Sequence, residues 1–245
     1  MNISIEIVPR DQEHILKELE TVKSLLGKVN TINVPDIPRF KTRSWQGACI
    51  AKAHFNHVIP HIRAVDFNPA LPFLLKEDLQ EAGIDSILIV TGDAPKTSFA
   101  PVYRNDSIGL IKQIKKEMPE IRVYAAIDPY RQGLQAEYAY IQEKLEAGAD
   151  GFFTQPFFDL NLMNVYADFL AGLDIYWGVA PVTNDKSKAY WETTNRVVFP
   201  KGFQVDLAGN REFAIRALEM VTAMQHHIYF MPIRTDLEGY LSGIL

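Results

Sequence analysis

The chain has 245 residues, 47% of them hydrophobic, a net charge of −5 and a single cysteine. That length and apolar content can bury a substantial core and fall in the range of one α/β barrel, while the acidic balance, with no basic tract, argues against a general nucleic-acid binder, whose affinity rests on lysine and arginine neutralising phosphates. Cys49 alone cannot close an internal disulfide, no apolar run is long enough to cross a bilayer, and MNISIEIVPR lacks the charged and apolar regions of a signal peptide, so a cytoplasmic protein with no membrane partner is expected.

Residues 2–8 alternate, with Ile3, Ile5 and Ile7 on one side and Ser4, Glu6 and Val8 on the other, which predicts a strand whose isoleucines face helices. A helix is expected over 11–26, with Ile15, Leu19, Val22 and Leu26 on one face. The second strand, 29–34, stops at Pro35-Asp36-Ile37-Pro38, because proline cannot continue the ladder. After a loop carrying Arg39, Lys41 and Arg43, a helix over 44–55 is expected to bury Cys49, and a third strand over 58–65 is interrupted by Pro60.

A helix over 71–82 ends at Gly83, and SILIV at 86–90 is the strongest strand signal, halted by TGDAP. Ile108, Ile111 and Ile114 mark a helix face; 122–127 is the fifth strand, 134–147 a helix stopped by Gly148, and 151–154 the sixth strand. Leu162, Val165, Tyr166 and Phe169 give the next helix face, and the seventh strand follows at 175–180. Helices over 187–194 and 211–224 and a strand over 227–231 complete the chain. Eight strands alternating with about eight helical segments is the count of a single-domain (β/α)8 TIM barrel spanning residues 1–245; an open doubly wound sheet is the other arrangement this order allows.

In such a barrel, functional residues collect at the carboxyl ends of strands. Glu6, Asn33, His61, Asp93, Asp128, Gln155 and Asn184 fall there. If the three isoleucines face out, Glu6 points into the lumen, where desolvation raises a carboxyl pKa toward the value a general acid needs; a solvated strand end is the plainer alternative. Asp93 could equally be a turn or helix-cap aspartate, and Gln155, which both donates and accepts, could equally bond a neighbouring strand. His61 has no paired His or Cys spacing, so no metal site is expected. His226-His227 reads as a strand entry at the opposite face. GxSxG, GxxxxGK and GxGxxG are all absent, which withdraws sequence support from serine hydrolase, P-loop and Rossmann readings.

SIEIVPR, ILIVTGDAP, DSIGLI, AAIDP, EKLEAGADGFFTQPFFD and YWGVAPVTNDKSKA, in this order, resemble the methylenetetrahydrofolate reductase family of flavoenzymes, across roughly residues 4–189. The resemblance implies a (β/α)8 barrel that relays a hydride from NAD(P)H through FAD to a folate, in one-carbon metabolism. It implies that Glu6 is the acid that helps open the folate's methylene bridge, that Asp93 lies near flavin and pterin and favours the iminium form of the substrate, and that Gln155 contacts the folate. Flavin contacts would fall on Asn33, His61, Thr91, Gly92, Ala125, Glu137 and Lys144. A homo-oligomer or a partner subunit is a further expectation.

The chain also departs from the family. Thr91 stands where an arginine often precedes Gly-Asp, VPDIPRFKTR replaces a glycine-containing end of the second strand, and the flavin segment has become AAIDPYRQG. Arg39, Lys41 and Arg43 could grip a cofactor diphosphate or a polyglutamate tail, or form a solvated basic loop. Two other readings stay open: a flavin-poor folate-binding or methyl-transfer accessory subunit, and a barrel lyase acting on a small acid, which lacks a lysine nucleophile at a strand end.

Overall fold

Ile3, Ile5 and Ile7 all pack outward against helices, so the alternation of the first strand is realised and Ser4 and Glu6 turn inward. The computed structural model describes residues 1–25, 27–93, 101–233 and 235–245; the expected helix end at Leu26 and the Ala94-Pro95 part of the TGDAP segment lie outside them.

The elements run β1 (Ile3–Glu6), α1 (Gln12–Leu25), β2 (Thr31–Val34), α2 (Ser44–Lys52), β3 (His57–Arg63), a 3-10 turn (Ala64–Asp66), α3 (Lys76–Glu81), β4 (Ser86–Val90), α4 (Ser107–Glu117), β5 (Arg122–Ile127) and α5 (Leu134–Glu146). They continue with β6 (Gly151–Thr154), α6 (Leu160–Phe169), β7 (Ile175–Val179), α7 (Asp185–Thr194), α8 (Leu207–Ala223), β8 (His227–Phe230) and α9 (Leu237–Leu241). All eight strands pair in parallel in sequence order, and β8 closes on β1 through Ile3↔Ile228, Ser4↔Tyr229 and Ile5↔Phe230. The order matches the (β/α)8 expectation and leaves no open sheet.

Two apolar layers follow from strand alternation. Between strands and helices lie Ile5, Ile32, Ile62, Ile87, Ile89, Val123, Phe152 and Trp177, all fully buried, and each such side chain contributes about 1.5–3 kcal/mol by leaving water. The lumen is filled by Ile59, Leu88, Tyr124, Phe153, Tyr176, Tyr229 and Met231. Phe153 stacks on Tyr176 at 4.1 Å, and Tyr124 meets both rings edge-on at 5.2 and 5.4 Å. At the amino end of the strands, Asp174 accepts from Arg122 at 2.5 Å and from the Tyr124 hydroxyl at 3.1 Å, and pairs with His227 Nε2 at 2.9 Å. Asn2 then ties β1 into this floor, its backbone N–H donating to His227 Nδ1 and its amide to the Tyr176 hydroxyl, both at 2.8 Å. His227 thus sits at the floor, as the strand-entry reading expects.

Several boundaries differ from the sequence expectation. Pro60 lies inside β3, at the point where pairing with β2 ends (Val34↔Pro60) and pairing with β4 begins (His61↔Leu88), so its missing N–H leaves the ladder intact. The helix expected from residue 71 begins only at Lys76, because Pro72 keeps its neighbour from helical geometry and the Phe73 N–H is taken by Glu117 Oε2 at 2.9 Å. α2 ends at Lys52 and does not bury Cys49: its inward face is Ser44, Gly47, Ala48 and Ala51, which leaves position 49 exposed. α8 starts early, at Leu207, because Asp206 caps it by accepting from the Gly209 N–H at 2.7 Å. α9 was not expected from the sequence.

Candidate active site

At the carboxyl end of the barrel the loop after β4 faces the loop after β6 across a cleft of about 730 Å³. Thr91, Gly92, Asp93, Asp128, Lys144 and Gln155 border it, together with Ala126, Arg131, Asn195 and Arg196. A volume of this order suits one large ligand.

β4 delivers Asp93. Its apolar run ends at Val90, and Gly92 turns the chain at φ +82°, a conformation that glycine adopts without strain. Asp93 is exposed and caps none of the described helices; the N-cap of α4 is Asp106, which accepts from the Gly109 N–H at 2.8 Å. β6 delivers Gln155, whose backbone N–H donates to Ile127 O at 2.7 Å, fixing the strand exit and leaving the side chain exposed on the cleft. Asp93 and Gln155 therefore meet in one cavity.

The floor of the cleft comes from β5 and α5. Lys144 is 2% exposed, donates to Ala126 O at 2.5 Å and lies 3.9 Å from the centre of the Tyr140 ring. Burial pulls its pKa down to about 8, with Glu137 acting in the opposite direction, so it remains mostly cationic at neutral pH. Glu137 is fully buried and organises the preceding loop: it accepts from the Asp128 N–H at 3.1 Å, from Arg131 at 2.7 Å and from Gln132 at 2.9 Å. Ala125 packs on the helix side of β5, and its neighbour Ala126 borders the cleft. Asp128 is half-buried, and that burial raises its pKa.

Asn33 and His61 lie on the lumen face of β2 and β3. Asn33 donates to Ser4 Oγ at 2.8 Å, while its Oδ1 and the His61 Nε2 are buried without hydrogen-bond partners. Burial pulls the His61 pKa down to about 4, so the imidazole is neutral. With Asn195 Nδ2 on the border of the cleft as a third, these unpartnered buried atoms keep hydrogen-bonding capacity that a polar ligand could take up.

Glu6 is placed differently. It opens onto a second pocket of about 580 Å³, shared with Arg10, His14, Lys17 and Glu18 of the β1–α1 region and with Ile233, Thr235 and Asp236 after β8. The Tyr229 hydroxyl donates to Glu6 Oε2. Burial raises the Glu6 pKa to about 7, against the lowering effect of that hydrogen bond. Glu18, paired with His14 Nε2 at 3.1 Å, is raised to about 7 as well, first by burial, with Arg10 lowering it and Glu6 raising it. The structure thus gathers Asp93 and Gln155 in one cavity and gives Glu6 another at the same end of the barrel.

Asn184 is the N-cap of α7, accepting from the Ser187 N–H at 2.9 Å. Arg43 is held by Asp36 at 2.5 Å and Asp66 at 2.6 Å and lies over Trp45, so of the three loop cations it is committed to the fold. Phe157 joins the outer core, and Phe158 packs with Trp191, Phe199 and Phe203. Among the described residues no group of three or more His, Cys, Asp or Glu could hold a metal, and no helix is long and apolar enough to cross a membrane. Tyr229, Arg63, Arg131 and Arg196 were not singled out from the sequence. Lumen-face alternation through His61 and Arg63, and through Tyr229 and Met231, was the signal available for two of them.

A family model described as methylenetetrahydrofolate reductase matches residues 2–226. The chain belongs to the methylenetetrahydrofolate reductase family. It is 30% identical to the 5,10-methylenetetrahydrofolate reductase of Escherichia coli (strain K12) over 142 residues, covering 56% of this chain and 48% of that protein. With the enzyme of that name from Pectobacterium carotovorum subsp. carotovorum the identity is 28% over 146 residues, covering 58% and 49%. The match spans about half the length of these curated relatives. Among solved structures, an uncharacterized protein from Clostridium thermocellum that binds two copies of 5-methyl-5,6,7,8-tetrahydrofolic acid superposes with a TM-score of 0.67 at 12% identity, over 99% of this chain and 93% of that one. Oxaloacetate acetylhydrolase in complex with 3,3-difluorooxalacetate gives 0.59 at 12% identity, over 99% and 77%. At such identities the structural likeness speaks for the barrel alone.

Proposed function

We propose that this barrel reduces 5,10-methylenetetrahydrofolate to 5-methyltetrahydrofolate, with NAD(P)H as electron donor and FAD as bound cofactor. The observation that carries the reading is the convergence of Asp93 and Gln155 on one cleft at the carboxyl end of a barrel of this family. When bound, FAD supplies the hydride-carrying chemistry that side chains lack. Asn33, His61, Thr91, Gly92 and Lys144 would hold it. Ala125 and Glu137 would support it indirectly, as packing within β5 and as the anchor of the 128–132 loop.

The chain's own contributions are orientation, charge and a proton. Gln155 presents both a donor and an acceptor to a heterocycle edge. The Asp93 carboxylate favours a cationic iminium in the folate over its neutral closed ring. Glu6, with a pKa of about 7, keeps a proton on its carboxyl near neutrality; a folate that extends from the Asp93–Gln155 cleft over the strand ends to the separate Glu6 pocket would take that proton on the nitrogen released as the methylene bridge opens.

Purified protein carrying a flavin absorbance that NADH bleaches, and that methylenetetrahydrofolate restores, is the expected result. Colourless protein that oxidises no NAD(P)H would refute the reading. A Glu6→Gln protein retaining full folate reduction would remove the acid assignment alone. A flavin-poor folate-binding accessory subunit is the second reading, favoured by the departures at the flavin segments: Thr91 where an arginine often precedes Gly-Asp, and AAIDPYRQG at the exit of β5.

A further inference from the structure

The loop that carries Asp93 is held from the neighbouring strand by a buried cation. Arg63 ends β3 on the lumen face and is only 5% exposed, although it carries a full charge. Its Nη2 donates to the Asp93 carbonyl oxygen and lies 3.6 Å from Asp66 Oδ1. Its Nε is buried without a hydrogen-bond partner. The guanidinium runs directly under the turn: a Cβ added to Gly92 would stand 2.7 Å from Arg63 Nε and 3.0 Å from Arg63 Cβ. One residue earlier, Thr91 O accepts from the Val65 N–H at 3.1 Å.

Burying a guanidinium is costly unless its hydrogen bonds compensate, and here its hydrogen-bond acceptor is the backbone of the residue that faces the cleft. A carbonyl held by a planar cationic donor restricts rotation about the Asp93 Cα–C bond, and with the Gly92 turn set on the other side this limits where the Asp93 Cα–Cβ bond can point. Asp66 does not depend on Arg63 for its charge balance, because Arg43 holds its Oδ2 at 2.6 Å.

We infer that Arg63 is a positioning residue, which fixes Asp93 at the rim of the cleft through the Asp93 carbonyl and the Gly92 turn. The inference rests on the proposed role of Asp93 toward the folate. It assigns Arg63 no contact with ligand; the arginine acts through the aspartate. It also explains why position 92 takes glycine on two counts, the left-handed φ and the space occupied by the arginine below it.

The test is a double-mutant cycle in the folate reduction assay, using Arg63→Met, Arg63→Lys, Asp93→Asn and the combined variants, with a thermal melt for each. Arg63→Met is expected to lower kcat about 10- to 100-fold with little change in KM, the scale on which a small misplacement of a reacting group acts. Arg63→Lys, which keeps a charge and one donor, is expected to recover part of the loss. In the Asp93→Asn background, removing Arg63 is expected to cost nothing further. If Asp93→Asn is damaging and the Arg63 losses simply multiply with it, Arg63 is an ordinary structural residue and the inference fails while the Asp93 reading stands. An Asp93→Asn protein with full activity overturns both. Should Arg63→Met fail to melt cooperatively, Arg63→Lys alone closes the same cycle and decides the matter.

Discussion

Tyr229 on the last strand donates its hydroxyl hydrogen to Glu6 on the first, across the seam where the barrel closes. The bond favours the charged carboxylate, so it holds the Glu6 pKa lower than burial alone would set it. Tyr229→Phe is therefore expected to move that pKa above about 7. On the proposed mechanism the alkaline limb of the kcat profile shifts upward by roughly one pH unit. A limb that stays in place or moves to lower pH contradicts this.

Glu6 and Glu18 share a pocket, and each is raised from 4.5 to about 7. A carboxyl whose folded pKa lies above its unfolded value binds the extra proton in the native state, so its stabilising contribution is complete below pH 4.5 and is lost as pH rises to about 7. For Glu6 the loss is on the order of 3 kcal/mol. Denaturant titrations of Glu6→Gln between pH 4.5 and 8 should show a flatter pH dependence than the parent and a higher midpoint at pH 8. Unchanged slopes would mean that the Glu6 carboxyl is not desolvated as described.

Gln155 presents its side chain to the cleft while its backbone anchors the β6 exit. Replacing it with alanine should leave folding intact and weaken folate binding about tenfold, or about 1.4 kcal/mol. Calorimetric titration with methyltetrahydrofolate, alongside circular dichroism, distinguishes this from a folding defect.

Gly178 sits where β7 passes the exit of β6. An added Cβ would lie 2.6 Å from Thr154 O and 2.8 Å from Met231 Cε. The methionine can move but the backbone oxygen cannot, so Gly178→Ala should destabilise the barrel by about 1–3 kcal/mol, read from urea midpoints. A neutral result would show that β6 and β7 can separate at their carboxyl ends.

Burial pushes the Asp174 pKa up, but the hydrogen bond from His227, with Arg122 and Tyr124 behind it, holds it below the usual carboxylate value. A depressed carboxylate contributes stability that is present above its unfolded pKa of 3.8 and is lost as pH falls through the folded value. Asp174→Asn should therefore be less stable than the parent at pH 7, and the two should converge at the acid end of the titration.

The strand count, the outward isoleucines and the β4 and β6 exits were legible because strand alternation and glycine turns are local signals in this chain. Pro60 reads as an interruption from the sequence because only the staggered registers of β2 and β4 show that its N–H is not needed. Cys49 faces solvent, opposite to the buried position expected for it, because the small residues Ser44, Gly47, Ala48 and Ala51 take the inward face. Arg63, Tyr229 and the second pocket were missed for a different reason: each depends on a partner from another strand or helix, and sequence spacing carries no record of which residues meet across a closed barrel. The family resemblance reached the right barrel and carried Glu6, Asp93 and Gln155 onto strand ends, but it could not show that Glu6 has a cavity of its own.

Asn2, Asp174 and His227 join the amino ends of four strands and their leads, and the rings of Tyr124, Phe153, Tyr176 and Tyr229 fill the space above them. Closed from beneath, the lumen opens at the carboxyl ends of the strands, where the cleft and the Glu6 pocket both lie. On the proposed chemistry, a spent nicotinamide must leave by the opening through which the folate arrives, so the order of turnover is a matter of traffic at that threshold as well as of affinity.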